Sequence, residues 1–267
     1  MDTMEHSSIT AEPREYDIVV DHLTKSYGNT VALNDVSFRV RRGEFFGFLG
    51  LNGAGKTTTI KVLSGLLNAR YTRIGVAGHD LAREALKVKA SVGVVLDQPA
   101  LYDYLTGYEF LEFIGAMYGI GPNELRPRVM EMLELVNLVD EAGKVIIDYS
   151  RGMYQRLSLA AAMIHRPQVL FLDEPFIGID ALGVHRFKQM LHQYVARGKT
   201  VFFSSHIMEM VEGLCTSFAI IHRGSIRRTG KMSELRRDHP EKQLEELFVE
   251  TVGEYHTDLQ AGDADPA

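Results

Sequence analysis

The sequence predicts an α/β fold built on a mostly parallel sheet, with a helical lobe inserted into it. Apolar runs at residues 44–49, 169–174 and 200–206 have the length and make-up of strands buried on both faces. Each run leads directly into a glycine loop, paired acids or a histidine, as strands of open α/β sheets do at the edge where ligands bind. Between the first and second runs the apolar spacing turns helical.

The first run enters Gly50-Leu51-Asn52-Gly53-Ala54-Gly55-Lys56-Thr57, which satisfies G-x-x-x-x-G-K-[ST] at every specified position. Its glycines let the backbone curl with N–H groups turned inward, and a helix starting near Lys56, through Thr58, adds its positive N-terminal end. A nucleoside triphosphate is the implied ligand. Lys56 reaches its β- and γ-phosphates, and the Thr57 hydroxyl stands where the accompanying Mg²⁺ is ligated.

Helical spacing begins near Leu105. Thr106-Gly107-Tyr108-Glu109 reads as a capping box, and Phe110, Phe113, Ile114, Met117 and Tyr118 follow before Gly119 stops the run. Leu125, Val129, Met132, Leu133 and Val136 repeat the pattern. Tyr102 and Tyr104, just ahead of these stripes, are candidates for a protein contact, because aromatics favour such sites.

The second run ends in Asp173-Glu174. Asp173 is expected to hold Mg²⁺, directly or through its water, and Glu174, pointing the other way, to take a proton from the attacking water. The third run ends in His206, placed to donate a hydrogen bond to the γ-phosphate or the hydrolytic water.

Charge and composition narrow the function classes. With 267 residues, 45% of them hydrophobic, the chain can bury a sizeable core. No apolar run approaches the length of a bilayer span, and residues 1–15 are polar and acidic, unlike a signal sequence, so a soluble, non-secreted protein is expected. Cys215 stands alone, in keeping with a reducing cytoplasm, and the histidines lack metal-ligand spacing. The net charge is −6, of which residues 1–15 carry −3 and residues 253–267 carry −4, leaving the body at +1. Such a body offers no basic footprint for nucleic acid, and the two polar ends are expected to be disordered.

Tyr149-Ser150-Arg151-Gly152-Met153, followed by a helical segment to Ala162, resembles the signature of ATP-binding-cassette (ABC) ATPases, usually Leu-Ser-Gly-Gly-Gln before a helix. The likeness covers about residues 17–235. It implies a P-loop NTPase core with an N-terminal antiparallel β part and a helical lobe near residues 98–165, in a cassette domain over 16–240. A C-terminal helix over 241–252 and tails at 1–15 and 253–267 complete the expected organisation. It also implies ATP with Mg²⁺, adenine stacked on Tyr27, and an Asp180 loop facing a partner subunit. Ser150 and Gly152 of one subunit would then meet the γ-phosphate held by the glycine loop of another, with Met153 beside them in the nucleotide site, while Tyr149, Arg151 and Met153 depart from the usual signature.

Departures from the family pattern are specific. Aligned on Gly93 and Pro99, the metal-touching glutamine of the family falls on Asp97, with Gln98 one place late. Leu51 replaces a common proline, Phe176 a small polar residue, and residues 68–75 lack the usual turn pattern. The implied function is the ATP-hydrolysing subunit of an exporter-like transporter. It would sit at the cytoplasmic face as a homodimer or heterodimer, touching the membrane only through a separate permease. Alternatives are a weakly hydrolysing, nucleotide-sensing partner of another cassette, and a soluble cassette ATPase outside transport.

Overall fold

The computed structural model describes residues 15–176, 179–238 and 243–262. The chain opens with the antiparallel ribbon β1 (Tyr16–Tyr27) and β2 (Thr30–Arg41), then β3 (Phe45–Leu49) and α1 (Lys56–Leu63). β4 (Arg73–Val76), β5 (His79–Asp80), α2 (Ala85–Ser91) and β6 (Val92–Val95) follow. The lobe comprises α3 (Gly107–Met117), α4 (Pro122–Leu135), a 3-10 turn at Ile146–Asp148 and α5 (Arg151–Met163). Then come β7 (Val169–Asp173), α6 (Ala181–Ala196), β8 (Thr200–Ser205), α7 (Met208–Leu214), β9 (Ser217–His222) and β10 (Ser225–Lys231). Helices α8 (Met232–Asp238) and α9 (Leu244–Gly262) close the described chain.

Among the described residues, six strands form the main sheet in the order β10-β9-β3-β8-β7-β6, parallel except for β10. Alternation along these strands divides the molecule into two cores, since successive side chains point to opposite faces. Phe46, Phe48, Phe171 and Phe202 face one side, where they pack with Phe38 of β2, α1 and the second sheet, ordered β2-β1-β4-β5. Phe45, Leu170, Leu172, Val201 and Phe203 face the other side, against α5, α6, α7, α9 and the lobe. A phenylalanine in the middle of such a sheet therefore buries a whole ring whichever way it points, and that burial is the main stabilising term here.

The two sheets are joined by a buried carboxylate at the edge where β8 begins. Asp17 Oδ2 of β1 accepts hydrogen bonds from Thr200 Oγ1 at 2.7 Å and Gln168 Nε2 at 2.9 Å. In the lobe, the Thr106 capping box forms as expected, and Gly119 ends α3 with a φ of 77°. The segment from 68 to 75 replaces the usual turn with a short pairing to β1, in which Thr24 and Arg70 exchange both backbone hydrogen bonds.

One boundary differs from expectation. The C-terminal helix begins at Leu244 and reaches Gly262, so most of the acidic segment expected to be disordered from residue 253 is helical. Between Gly253 and Gly262 the sequence has no proline or glycine to stop a helix already anchored by buried Leu244, Leu247 and Phe248. Residues 1–14 of the expected N-terminal tail, and 263–267, lie outside the described residues.

The lobe meets the sheet at Gly93 of β6. A Cβ there would lie 2.1 Å from the Ala162 carbonyl oxygen of α5, whereas one at Gly143 would meet nothing within 4 Å. Gly93→Ala is expected to lower stability in urea by about 1–3 kcal/mol through overpacking. Gly143→Ala serves as the control and should change it little.

Candidate active site

The loop after β3 packs against β2 through Gly55, which has a φ of 111°. A Cβ on it would stand 2.8 Å from the Ala32 carbonyl oxygen, so the left-handed backbone and the close approach both require glycine. Lys56, at the start of α1, is buried; its Nζ donates to the Gly50 and Leu51 carbonyls at 2.7 and 3.3 Å. The same Nζ lies 3.3 Å from Glu174 Oε1. Gly50 and Leu51 thus hold the lysine through their backbone, and buried Ala54 donates its N–H to Leu51 O at 3.1 Å.

Sheet register assembles the rest. Leu49 pairs with Ser205 and Asp173 with Ser204, so β3, β8 and β7 end side by side. The Asp173 carboxylate is fully buried and accepts hydrogen bonds from Thr57 Oγ1 at 2.5 Å and from Ser204 Oγ. Burial raises its pKa above the ordinary carboxylate value; the Ser204 and Thr57 hydroxyls and the Lys56 charge pull it back down, while neighbouring Glu174 adds to the rise.

Glu174 leaves the strand with a φ of 49°, a left-handed conformation uncommon for a residue with a Cβ. Its N–H donates to Ser204 O at 3.2 Å. Oε1 is hydrogen-bonded to His206 Nδ1 at 2.9 Å, and Oε2 accepts a longer bond from Ser205 Oγ at 3.4 Å. The acid expected to act as base is thus held by a cation, an imidazole and a hydroxyl.

A cavity of about 180 Å³ lies over this cluster, walled by Ala32, Asn52, Gly53, Gly55, Lys56, Thr57, Thr58, Asp97, Asp173 and Glu174. Its donor set suits a triphosphate with Mg²⁺: one lysine, a curled loop at a helix start, and a threonine hydroxyl beside a buried carboxylate. Asp97 lies in the wall and Gln98 does not. Tyr27, at the end of β1, is half exposed with Lys25 Nζ 5.3 Å above its ring, outside the wall. Sequence reasoning missed Ala32, Ser204 and Ser205. The two serines closing an otherwise apolar strand were a legible signal.

Ser150, Gly152 and Asp180 gather elsewhere. They border a cavity of about 500 Å³ between the lobe and α6, which shares no wall residue with the first. Ser150 caps α5 by accepting from Met153 N at 3.3 Å, so Met153 contributes its backbone, not a wall. Asp180 likewise caps α6, its Oδ1 accepting from Gly183 N at 2.7 Å. Phe176 packs edge-on against Phe187 and Phe203, which explains an aromatic at that position.

Residues 33–177 match the family model described as "ABC transporter". The linearmycin resistance ATP-binding protein LnrL of Bacillus subtilis (strain 168) is 39% identical over 215 residues, covering 80% of this chain and 69% of LnrL. An ABC transporter ATP-binding protein of Synechocystis sp. is 39% identical over 206 residues, 76% of this chain and 58% of its own length. A solved ATP-binding subunit of an ABC transporter superposes with a TM-score of 0.81 at 32% identity, covering 88% of this chain and 99% of that one.

The buried Asp173 charge opposes folding where it is ionised. Asp173→Asn is therefore expected to raise the melting temperature in nucleotide-free buffer at neutral pH. The gain should shrink as pH falls, because the raised pKa lets the wild-type carboxyl take up its proton in the folded state. Calorimetry from about pH 8 to about pH 5 checks this; a gain that widens toward acid contradicts it.

Proposed function

The chain belongs to the ABC transporter family, and on that premise we propose that it is the ATP-binding and ATP-hydrolysing subunit of such a transporter. The observation that carries this is the line of contacts from Thr57 through Asp173 to Ser204, with Lys56 and Glu174 closing the cavity above it. The loop N–H groups and Lys56 would bind and orient the triphosphate, while Thr57 and Asp173 would hold Mg²⁺. When bound, the ion neutralises charge on the phosphate oxygens. Asp97, in the cavity wall, takes the place of the family's glutamine.

Glu174 accepts the proton of the attacking water. His206, bonded through Nδ1, fixes that carboxylate and leaves its other ring nitrogen for the phosphate side. Lys56 stands between Glu174 and the loop, so its charge can serve the carboxylate or the phosphates.

Ser150 and Gly152 border a different cavity from the one holding Lys56, so one chain does not enclose its own triphosphate. A second cassette, a copy or close homologue, supplies these residues across a head-to-tail dimer, with Asp180 at the seam. Tyr102 and Tyr104, 57% and 87% exposed, rim an apolar hollow with Phe113 and offer the lobe's contact to a permease. The subunit then works at the cytoplasmic face through that permease. LnrL is named for linearmycin resistance, which supports an export role; cargo selection belongs to the permease.

Glu174→Gln is expected to cut ATP turnover at least about 100-fold and to trap an ATP-dependent dimer on gel filtration, alone or with the permease. Retained turnover, or no dimer in either setting, overturns the mechanism. In Mg²⁺ titrations of turnover, Asp97→Ala should demand more metal and Gln98→Ala should not. The reverse result assigns the metal-facing role to Gln98.

A further inference from the structure

We infer that Arg128 and Arg156 form a reciprocal clamp that sets the direction of α5 and so positions Ser150 and Gly152. This rests on the reading in which those residues meet a second subunit's nucleotide. Arg128, buried on α4, donates from Nε to Ile164 O at 2.7 Å and from Nη2 to Met163 O at 2.6 Å, both at the C-terminal end of α5. Arg156, on α5, donates from Nη1 to Val136 O at 3.0 Å and Asn137 O at 2.9 Å, at the C-terminal end of α4. Each helix thus caps the other. In each helix the arginine lies eight residues before a C-terminal carbonyl that the other helix's arginine binds, Arg128 before Val136 and Arg156 before Ile164.

The chemistry suits the geometry. The last carbonyls of a helix lack intrahelical donors and carry partial negative charge. A planar guanidinium presents forked donors to two such oxygens at once, which a lysine cannot do. The remaining Arg128 nitrogen, Nη1, pairs with Glu131 Oε2 at 2.7 Å, so the buried cation is compensated.

The two ties are about 11 Å apart along α5 at a rise of about 1.5 Å per residue, and two separated points fix an axis where one would leave it free to swivel. Just past α5, Tyr194 Oη donates to Pro167 O at 2.6 Å and Gln168 N to Ser91 O at 2.8 Å, so that end is also held by the core. The exposed N-terminal end has Arg156, which in addition donates from Nε to Gly152 O at 3.3 Å. Arg128 and Arg156 are therefore positioning residues: they bind backbone carbonyls and act through the turn that carries Ser150 and Gly152.

The test uses the full chain carrying Glu174→Gln, with Arg128→Met or Arg156→Met added, so that an apolar stem remains in place of each arginine. In nucleotide-free monomer, amide exchange over residues 150–155 should speed up at least about tenfold in both variants, with α1 unchanged. Half-maximal dimerisation should need about tenfold more ATP, while a fluorescent ATP analogue binds the monomer within about twofold of the parent. The double variant should be no worse than the poorer single one, because the pair acts as a unit. Unchanged exchange at 150–155 overturns the clamp. So does exchange that rises equally in α1 with loss of analogue binding, which marks a purely structural role. If the Glu174→Gln parent itself fails to dimerise, the sandwich reading fails, and the exchange data still decide the clamp.

Discussion

The structure turns on one buried carboxylate. Asp173 takes hydroxyl donors from Thr57 and Ser204 and so ties the start of α1 to the ends of β7 and β8. Burial of that acid is costly: desolvation pushes it toward the neutral form, and the two hydroxyls only partly offset this. On the proposed function it is a divalent cation beside phosphate that the carboxylate would serve, and the two hydroxyls hold it in place. Glu174 next to it carries a second local cost, a left-handed backbone at φ 49°. Both costs fall at the same strand end, where function and stability pull in different directions.

That strand end is rigid because the sheet beneath it is filled on both faces. The alternation of Phe45 with Phe46, and of Phe202 with Phe203, places large side chains in two separate cores. Displacing β7 or β8 would disturb both at once. The lobe is attached differently, through the close approach of Gly93 to α5, and within it arginine side chains bound to helix ends tie α4 to α5. The turn at Ser150 and Gly152 is therefore held as part of a helix pair, and it borders a different cavity from the one beside Lys56. This division explains why the two groups of site residues border different cavities.

Much of the core and site was legible in the sequence because its constraints are local. A loop that must curl around phosphate needs glycines, lysine and threonine at fixed spacing, and short strands buried on both faces need continuous apolar runs. The long ribbon β1–β2 was not delineated from its residues. Its register shifts repeatedly, and His22 and Asp35, both at positive φ and bonded at 2.7 Å, interrupt the alternation that would announce a strand. Ser204 and Ser205 lie in β8 as their run predicts, but their link to the site is not local, since their partner acids Asp173 and Glu174 each lie 31 residues away. Arg128 and Arg156 gave no signal at all, since binding a backbone carbonyl leaves no complementary residue in the sequence. Acidic, polar composition alone predicts disorder beyond residue 252, whereas the helix anchored by Leu244, Leu247 and Phe248 continues to Gly262.

The central claim is that one chain supplies only half of each ATP enclosure. Cys215 is the sole cysteine and is buried, so thiols introduced at the surface can be linked against a quiet background. The most direct measurement places cysteines at Asn52 and Ser150 in the Glu174→Gln chain and applies a short thiol cross-linker. The expected product is a two-chain species joining position 52 of one copy to position 150 of the other, formed with ATP and absent without it. A link within a single chain, or a two-chain product indifferent to ATP, would contradict the claim.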